Sequence, residues 1–174
     1  MQLVIGVMGS AQSPSSNAEK LAFELGCEIA RAEAILVTGA TTGLPLKAAQ
    51  GANSAGGFVI GVSPAQNKQE HLQLGLPLEP HNFILYTGFG FKGRNVLNVR
   101  ACDAVVTVGG ALGTLNEFTI AYDEGKVLGV LAGSGGVSDH IDEVLDFCAR
   151  KKQRVIQSTS PRELVTHLLD SMRS

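Results

Sequence analysis

Cysteine is scarce in this chain. The three present, Cys27, Cys102 and Cys148, are odd in number, far apart and in no Cys-x-x-Cys pair. That pattern excludes a disulfide framework and a structural zinc site, and it suits a reducing compartment. An excess of one charge is also missing: 14 Lys and Arg face 16 Asp and Glu, a formal net charge of -2. No broad positive field exists to draw nucleic acid or an anionic membrane, so neither is an expected partner. A small ligand, neutral or phosphorylated, fits this balance better. The opening "MQLVIGVMGS" has no basic n-region, and its apolar run is far too short for a signal peptide or a membrane span. The expectation is a soluble, untargeted, cytoplasmic protein.

Several motifs are absent too. No G-x-x-x-x-G-K-[S/T] stretch occurs, which leaves P-loop nucleotide hydrolysis unsupported. No G-x-S-x-G elbow occurs, so neither Ser10 nor Ser63 reads as a hydrolase nucleophile. His71, His81, His140 and His167 share no metal-ligand spacing, and no metal is expected. "GFGFKG" (Gly88 to Gly93) fits the letters of a dinucleotide fingerprint. It follows the fourth apolar run rather than the first, however, and no acidic residue ends a strand about 20 residues on.

What is present is alternation. Seven short, β-branched apolar runs recur with helix-like stretches between them: "LVIGVM", "AILVT", "FVIGV", "FILYT", "AVVTV", "VLGVL" and "RVIQS". This predicts a doubly wound, Rossmann-like α/β fold with about seven mostly parallel strands. The 174 residues, 44% hydrophobic, fit a single domain spanning 1–174. Leu21, Leu25 and Ile29 share a face with Ala22 and Ala32, the pattern of an amphipathic crossover helix. A last helix is expected to start at Pro161 after Ser160 as N-cap and to bury Leu164, Val165, Leu168 and Leu169. "ARKKQR" (Ala149 to Arg154) reads as the solvated, cationic end of a helix.

Glycines gather where these strands end. "MGSA", "TGATTGLP", "YTGFGFKGRN", "GGALGT" and "AGSGG" each follow an apolar run. In a parallel sheet, ligands bind beyond the strand C-termini, where helix N-termini present free N–H groups. A phosphate is expected on the backbone of Gly110, Ala111, Gly113 and Thr114. The rest of such a ligand is expected against the loops Gly9–Ser10–Ala11 and Gly39 to Gly43, including Thr42. No aromatic side chain is clearly placed to stack on the ligand; Tyr86 and Phe89 are the only candidates nearby.

Glu117 has two readings. Thr114 and Glu117 form T-x-x-E, the spacing of a capping box, which spacing alone favours. The same position suits a reactive carboxylate at the edge of the cleft. Arg94 opens "RNVLNVRAC" at a helix N-terminus, where the dipole disfavours a cation. An anionic ligand or a carboxylate across the cleft would account for it. Arg100, one turn further in, is expected to pair with Asp103 or Asp123.

Arg94 followed by "GGALGTLNE" resembles the signature of the lonely guy (LOG) family, once misnamed lysine decarboxylases. That family has a Rossmann-like fold and cleaves the N-glycosidic bond of cytokinin nucleoside 5′-monophosphates. Its P-G-G-x-G-T-x-x-E motif is matched at Gly110, Gly113, Thr114 and Glu117, its arginine at Arg94, and its second glycine loop at Gly39, Thr41, Thr42, Gly43 and Leu44; Gly9 and Ser10 match after the first strand. The resemblance implies catalytic roles for Arg94 and Glu117 and a homodimer, with helix faces such as those of Leu97 or Phe118 shared between subunits. Gly109 replaces the family's proline, Ala111 its second glycine, and Asn95 the lysine after its arginine. These departures make the chain more similar to the branch resembling molybdenum cofactor carrier proteins, which bind a phosphorylated pterin without hydrolysing it. Two functions follow from the resemblance: a phosphoribohydrolase acting on a nucleoside 5′-monophosphate, and a non-catalytic carrier of the molybdenum cofactor or sensor of a nucleotide. Neither implies a resident cofactor; the molybdenum cofactor would be cargo.

Overall fold

The computed structural model describes residues 2–12, 15–151 and 155–173. All seven apolar runs form strands: β1 (Val4–Gly9), β2 (Ile35–Thr38), β3 (Val59–Ser63), β4 (Phe83–Tyr86), β5 (Ala104–Val108), β6 (Val127–Leu131) and β7 (Val155–Ser158). They make one sheet in the order β4-β3-β2-β1-β5-β6-β7, and every pairing is parallel. The helices are α1 (Ser16–Arg31), α2 (Leu44–Ser54), α3 (Lys68–Gln73), α4 (Gly90–Gly93), α5 (Asn95–Arg100), α6 (Leu112–Asp123), α7 (Ile141–Phe147) and α8 (Pro161–Arg173). A 3-10 turn, Gly136–His140, leads into α7.

Strand periodicity divides the core into two layers. Ile5, Val7 and Val106 pack with Leu25, Ile29 and Leu164 on the face covered by α1, α2 and α8. Met8 and Val105 point the other way, to Val99, Phe118 and Leu145 on α5, α6 and α7. The fully buried strand β5 accordingly reads as a run of apolar residues broken only by the β-branched Thr107. Helix α1 is capped by the Ser15 hydroxyl, which accepts from Ala18 N at 3.1 Å. Helices α1 and α2 touch through glycine: a Cβ at Gly26 would sit 1.9 Å from the Ala48 carbonyl oxygen, and one at Gly51 equally close to that of Phe23.

Helix α8 buries Leu164, Val165 and Leu168, with Leu169 partly buried beside them. Three expectations change. Helix α7 ends at Phe147 with no basic residue in its last turn; Ala149 has φ +52°, so Ala149–Lys151 lies past the helix end, and the rest of the basic run is outside the described residues. Arg100 pairs with Glu124 at 2.8 Å, because one turn of α5 aims it at the C-terminus of α6; Asp103 instead accepts from Val4 N. Phe118 lies in this chain's own core and is no surface for a second subunit, whereas Leu97 is 38% exposed. Among the described residues no helix is long and apolar enough to cross a membrane.

The order reverses at β1. Strands β2 to β4 run outward on one side and β5 to β7 on the other. The crevice between the C-terminal ends of β1 and β5 is the switch point at which such sheets bind ligands.

Candidate functional site

At that switch point Gly9 ends β1 against β5, where a Cβ would come 2.7 Å from the Val108 carbonyl oxygen. Beyond β5 the chain turns through Gly109 (φ +57°) and Gly110 (φ +98°), conformations that favour glycine. The loop after β6 holds this turn from below. Ser134 Oγ accepts from Gly109 N at 2.8 Å, Ser138 Oγ donates to Gly109 O at 2.8 Å, and Val137 N donates to Gly110 O. The free N–H groups of that lower loop are answered internally: the Asp139 carboxylate accepts from Gly133 N and Gly135 N. The "AGSGG" segment therefore positions the turn and does not line the cleft.

The turn delivers α6, whose N-cap is Ala111 and carries no side-chain cap. The first N–H groups of a helix have no intrahelical acceptor and carry its positive end. Ala111, Gly113 and Thr114, at this end of the helix, line a cleft of about 430 Å³. Because α6 begins at Leu112, Thr114 stands inside the first turn and Glu117 in the second, so the capping box does not form. The Glu117 carboxylate turns to α5 instead.

Arg94 Nη1 donates to Glu117 Oε1 at 2.7 Å and to Asn95 Oδ1 at 2.8 Å; Nη2 reaches the Gly39 carbonyl at 3.4 Å. Asn98 Nδ2 also donates to Glu117 Oε1, at 3.0 Å, and Asn95 Nδ2 donates to Asn116 Oδ1 at 2.7 Å. Both bonds to Glu117 fall on Oε1, leaving Oε2 for the cleft. Arg94 and Glu117 are only 6% and 5% exposed. Burial drives the Glu117 carboxyl above its ordinary value; the Arg94 guanidinium, the Asn98 amide and Lys92 pull the other way. Gly39 is needed here, since a Cβ would lie 2.1 Å from Arg94 Nη2.

The cleft is lined by Gly9, Ser10 and Ala11 from the first loop, by Arg94, Asn95 and Glu117, and by Ala111, Gly113 and Thr114. Gly110, Gly39, Thr42 and Gly43 stand behind this lining. Gly110 packs on Thr114, its Cβ position 2.5 Å from Oγ1. Thr42 Oγ1 donates to Ala11 O at 2.8 Å, and a Cβ at Gly43 would be 2.3 Å from Ser10 O. The second glycine loop thus buttresses the first and offers Thr41 to the cleft.

Sequence reasoning missed Gln12, Phe91 and Lys92, which also line it. Lys92 Nζ comes 3.9 Å from where a Gly113 Cβ would stand, placing an ammonium over the positive end of α6. The discarded "GFGFKG" stretch is the source of both Phe91 and Lys92. A lysine and an aromatic two and three residues before Arg94 were the available signal. Tyr86 packs edge-on against His71 at 5.7 Å, and Phe89 is the exposed N-cap of α4; neither lines the cleft.

The chain from residue 2 to residue 165 matches the profile of the SLOG cluster4 family. The chain belongs to the SLOG cluster4 family. Within that setting it is 32% identical, over 122 residues covering 70% of this chain and 75% of the relative, to an uncharacterized protein of Archaeoglobus fulgidus. Two solved structures are similar over its whole length. One is the molybdenum cofactor binding protein of Rippkaea orientalis, with TM-score 0.82 and 28% identity over 100% of this chain and 99% of that one. The other is the molybdenum cofactor carrier protein of Chlamydomonas reinhardtii, with TM-score 0.80 and 25% identity over 100% of both chains. This SLOG cluster4 chain has the LOG-like Rossmann fold, on the side of the resemblance where the carrier proteins lie.

Proposed function

We propose that this protein binds a small phosphorylated ligand in the cleft and carries it uncleaved, the molybdenum cofactor with its phosphorylated pterin being the leading cargo. The observation that carries this reading is the charge arrangement at α6. The uncapped helix N-terminus at Ala111 to Thr114 meets Lys92, while the neighbouring anion, Glu117, is already neutralised by Arg94 at 2.7 Å. A phosphate monoester there gains backbone N–H donors and an ammonium without facing an unpaired carboxylate. Gly9, Ser10, Ala11 and Thr41 then border the rest of the ligand, with Gly39, Thr42, Gly43 and Gly110 fixing their positions. The likeness to the two molybdenum cofactor proteins supports the same assignment.

A second reading, phosphoribohydrolase activity on a nucleoside 5′-monophosphate, rests on Glu117 and Arg94 lining the same cleft. With ribose held by its phosphate, an ionised Glu117 would stabilise positive charge at the anomeric carbon and guide water, and Arg94 would hold the carboxylate in place. Against it, Arg94 and Asn98 both fix Glu117 Oε1. Release of free base from AMP and related monophosphates, by wild type and by Glu117→Gln, separates the two. The carrier reading predicts binding without release in either protein; release by wild type that collapses in the variant would establish the enzyme.

Homodimerisation and a cytoplasmic location belong to the same proposal, as does the lack of a nucleic acid partner, which the net charge of -2 supports. Light scattering is expected to give twice the mass of one chain; a monomer alone would remove the dimer.

A further inference from the structure

The four-residue turn α4 places two consecutive side chains, Phe91 and Lys92, in the cleft. Its start is fixed from outside, where Gly88 N donates to Ala65 O at 2.9 Å and Gly90 N to Pro64 O at 3.0 Å, and its own turn is closed by Arg94 N donating to Gly90 O at 3.2 Å. The position of Phe91 is therefore set by the ends of β3 and β4 rather than by packing of its own ring. That ring is 48% exposed and is the one aromatic side chain among the described residues that line the cleft. Gly9, Ser10 and Ala11 border the same cleft. A half-exposed phenyl gains free energy by covering an apolar or aromatic surface, and its neighbour Lys92 is the cation to which the proposed function assigns the phosphate.

We infer that Phe91 is the ring-recognition residue of the cleft, stacking on a planar heterocycle whose phosphate lies one short linker away under Lys92. This rests on the phosphate reading above and adds to it that the ligand carries a flat ring, a pterin or a nucleobase. Adjacent Cα atoms are about 3.8 Å apart, so the two recognition groups reach adjoining parts of one ligand. A sugar phosphate lacking the ring satisfies only Lys92 and α6.

The test is calorimetric titration of wild type, Phe91→Ala, Phe91→Leu and Phe91→Trp with three probes: AMP, 6-hydroxymethylpterin phosphate and ribose 5-phosphate. Loss of the aromatic face in the Ala and Leu variants is expected to weaken the ring-bearing probe that fits by about tenfold or more. Ribose 5-phosphate stays within about twofold, and Phe91→Trp keeps the affinity of wild type. Whichever of AMP and the pterin phosphate shows the larger loss identifies the ring. An equal loss on all three probes, or none on either ring-bearing probe, overturns the inference while leaving the phosphate site standing. Failure of wild type to bind any of the three overturns the phosphate reading itself.

Discussion

Arg94 Nη1 and Glu117 Oε1 are 2.7 Å apart across the cleft, with both side chains almost fully buried. The contact joins the helix after β4 to the helix after β5, and it decides how each residue behaves. Both terminal nitrogens of Arg94 are engaged, by Glu117, Asn95 and Gly39, so the proposed reading assigns the ligand's phosphate to Lys92 and the start of α6.

Removing Arg94 leaves a buried carboxyl without its cation. Arg94→Ala is expected to destabilise the fold by about 3–5 kcal/mol at neutral pH. A carboxyl whose value is raised on folding contributes stability below its unfolded value, about 4.3, and that contribution is lost as pH climbs through the folded value. The penalty of Arg94→Ala is therefore larger at pH 7 than at pH 4, where Glu117 takes up a proton. Urea unfolding of both proteins at the two pH values measures it; an equal loss at both would show that the pair is not what Arg94 sustains.

Lys92→Ala acts on binding alone, because the side chain is exposed at the cleft. A phosphorylated ligand is expected to lose about tenfold in affinity with an unchanged melting temperature. The remaining affinity, carried by the N–H groups of α6, is expected to depend less on salt than that of wild type. Titration at two salt concentrations checks both.

Two histidines, His71 buried and His81 half-buried, fasten the segment before β4. A carbonyl only accepts, so His71 donates from Nε2 to Pro77 O and His81 from Nδ1 to Leu78 O. Their other nitrogens then accept from the Ser63 and Thr38 hydroxyls, each of which also takes a backbone N–H, from Ala65 and Ala40. Burial lowers the His81 value, with His71 adding to it and the Leu78 bond and Glu79 opposing. A histidine whose value is lowered on folding contributes stability above its unfolded value, about 6.5, and that contribution is lost as pH falls through the folded one. Urea midpoints are expected to drop between pH 8 and pH 5.5, with a smaller drop in His81→Asn; an unchanged slope in the variant removes His81 as the cause.

Thiol reactivity follows burial. The Cys102 thiol is pushed up to about 12 by burial and stays unmodified until the chain unfolds, whereas exposed Cys148 reacts first. Mass spectrometry after limited alkylation is expected to show Cys148 labelled and Cys102 intact; early labelling of Cys102 would contradict its burial.

The sheet was legible because a parallel strand buried on both faces is a short, nearly continuous apolar and β-branched run, and "AVVTV" or "VLGVL" leaves little choice. Arg94 was legible as an oddity at a helix start, and its carboxylate across the cleft is Glu117. The T-x-x-E spacing misled because a capping box depends on where the helix begins. The turn at Gly109 and Gly110, held by Ser134, Val137 and Ser138, starts α6 at Leu112 and moves Glu117 one turn inward. Phe91 and Lys92 were hidden because a four-residue helix has no periodicity to read. His71 and His81 look solvated in a polar stretch; only the fold brings Ser63 and Thr38 beneath them.

The most direct test of the central claim is binding of matched pairs that differ only in the phosphate: AMP against adenosine, and 6-hydroxymethylpterin phosphate against 6-hydroxymethylpterin. If the start of α6 and Lys92 form the anchor, wild type binds the phosphorylated member of at least one pair, and its dephosphorylated partner binds at least about a hundredfold more weakly. Equal affinity within each pair, or no binding by either phosphorylated compound, would contradict it.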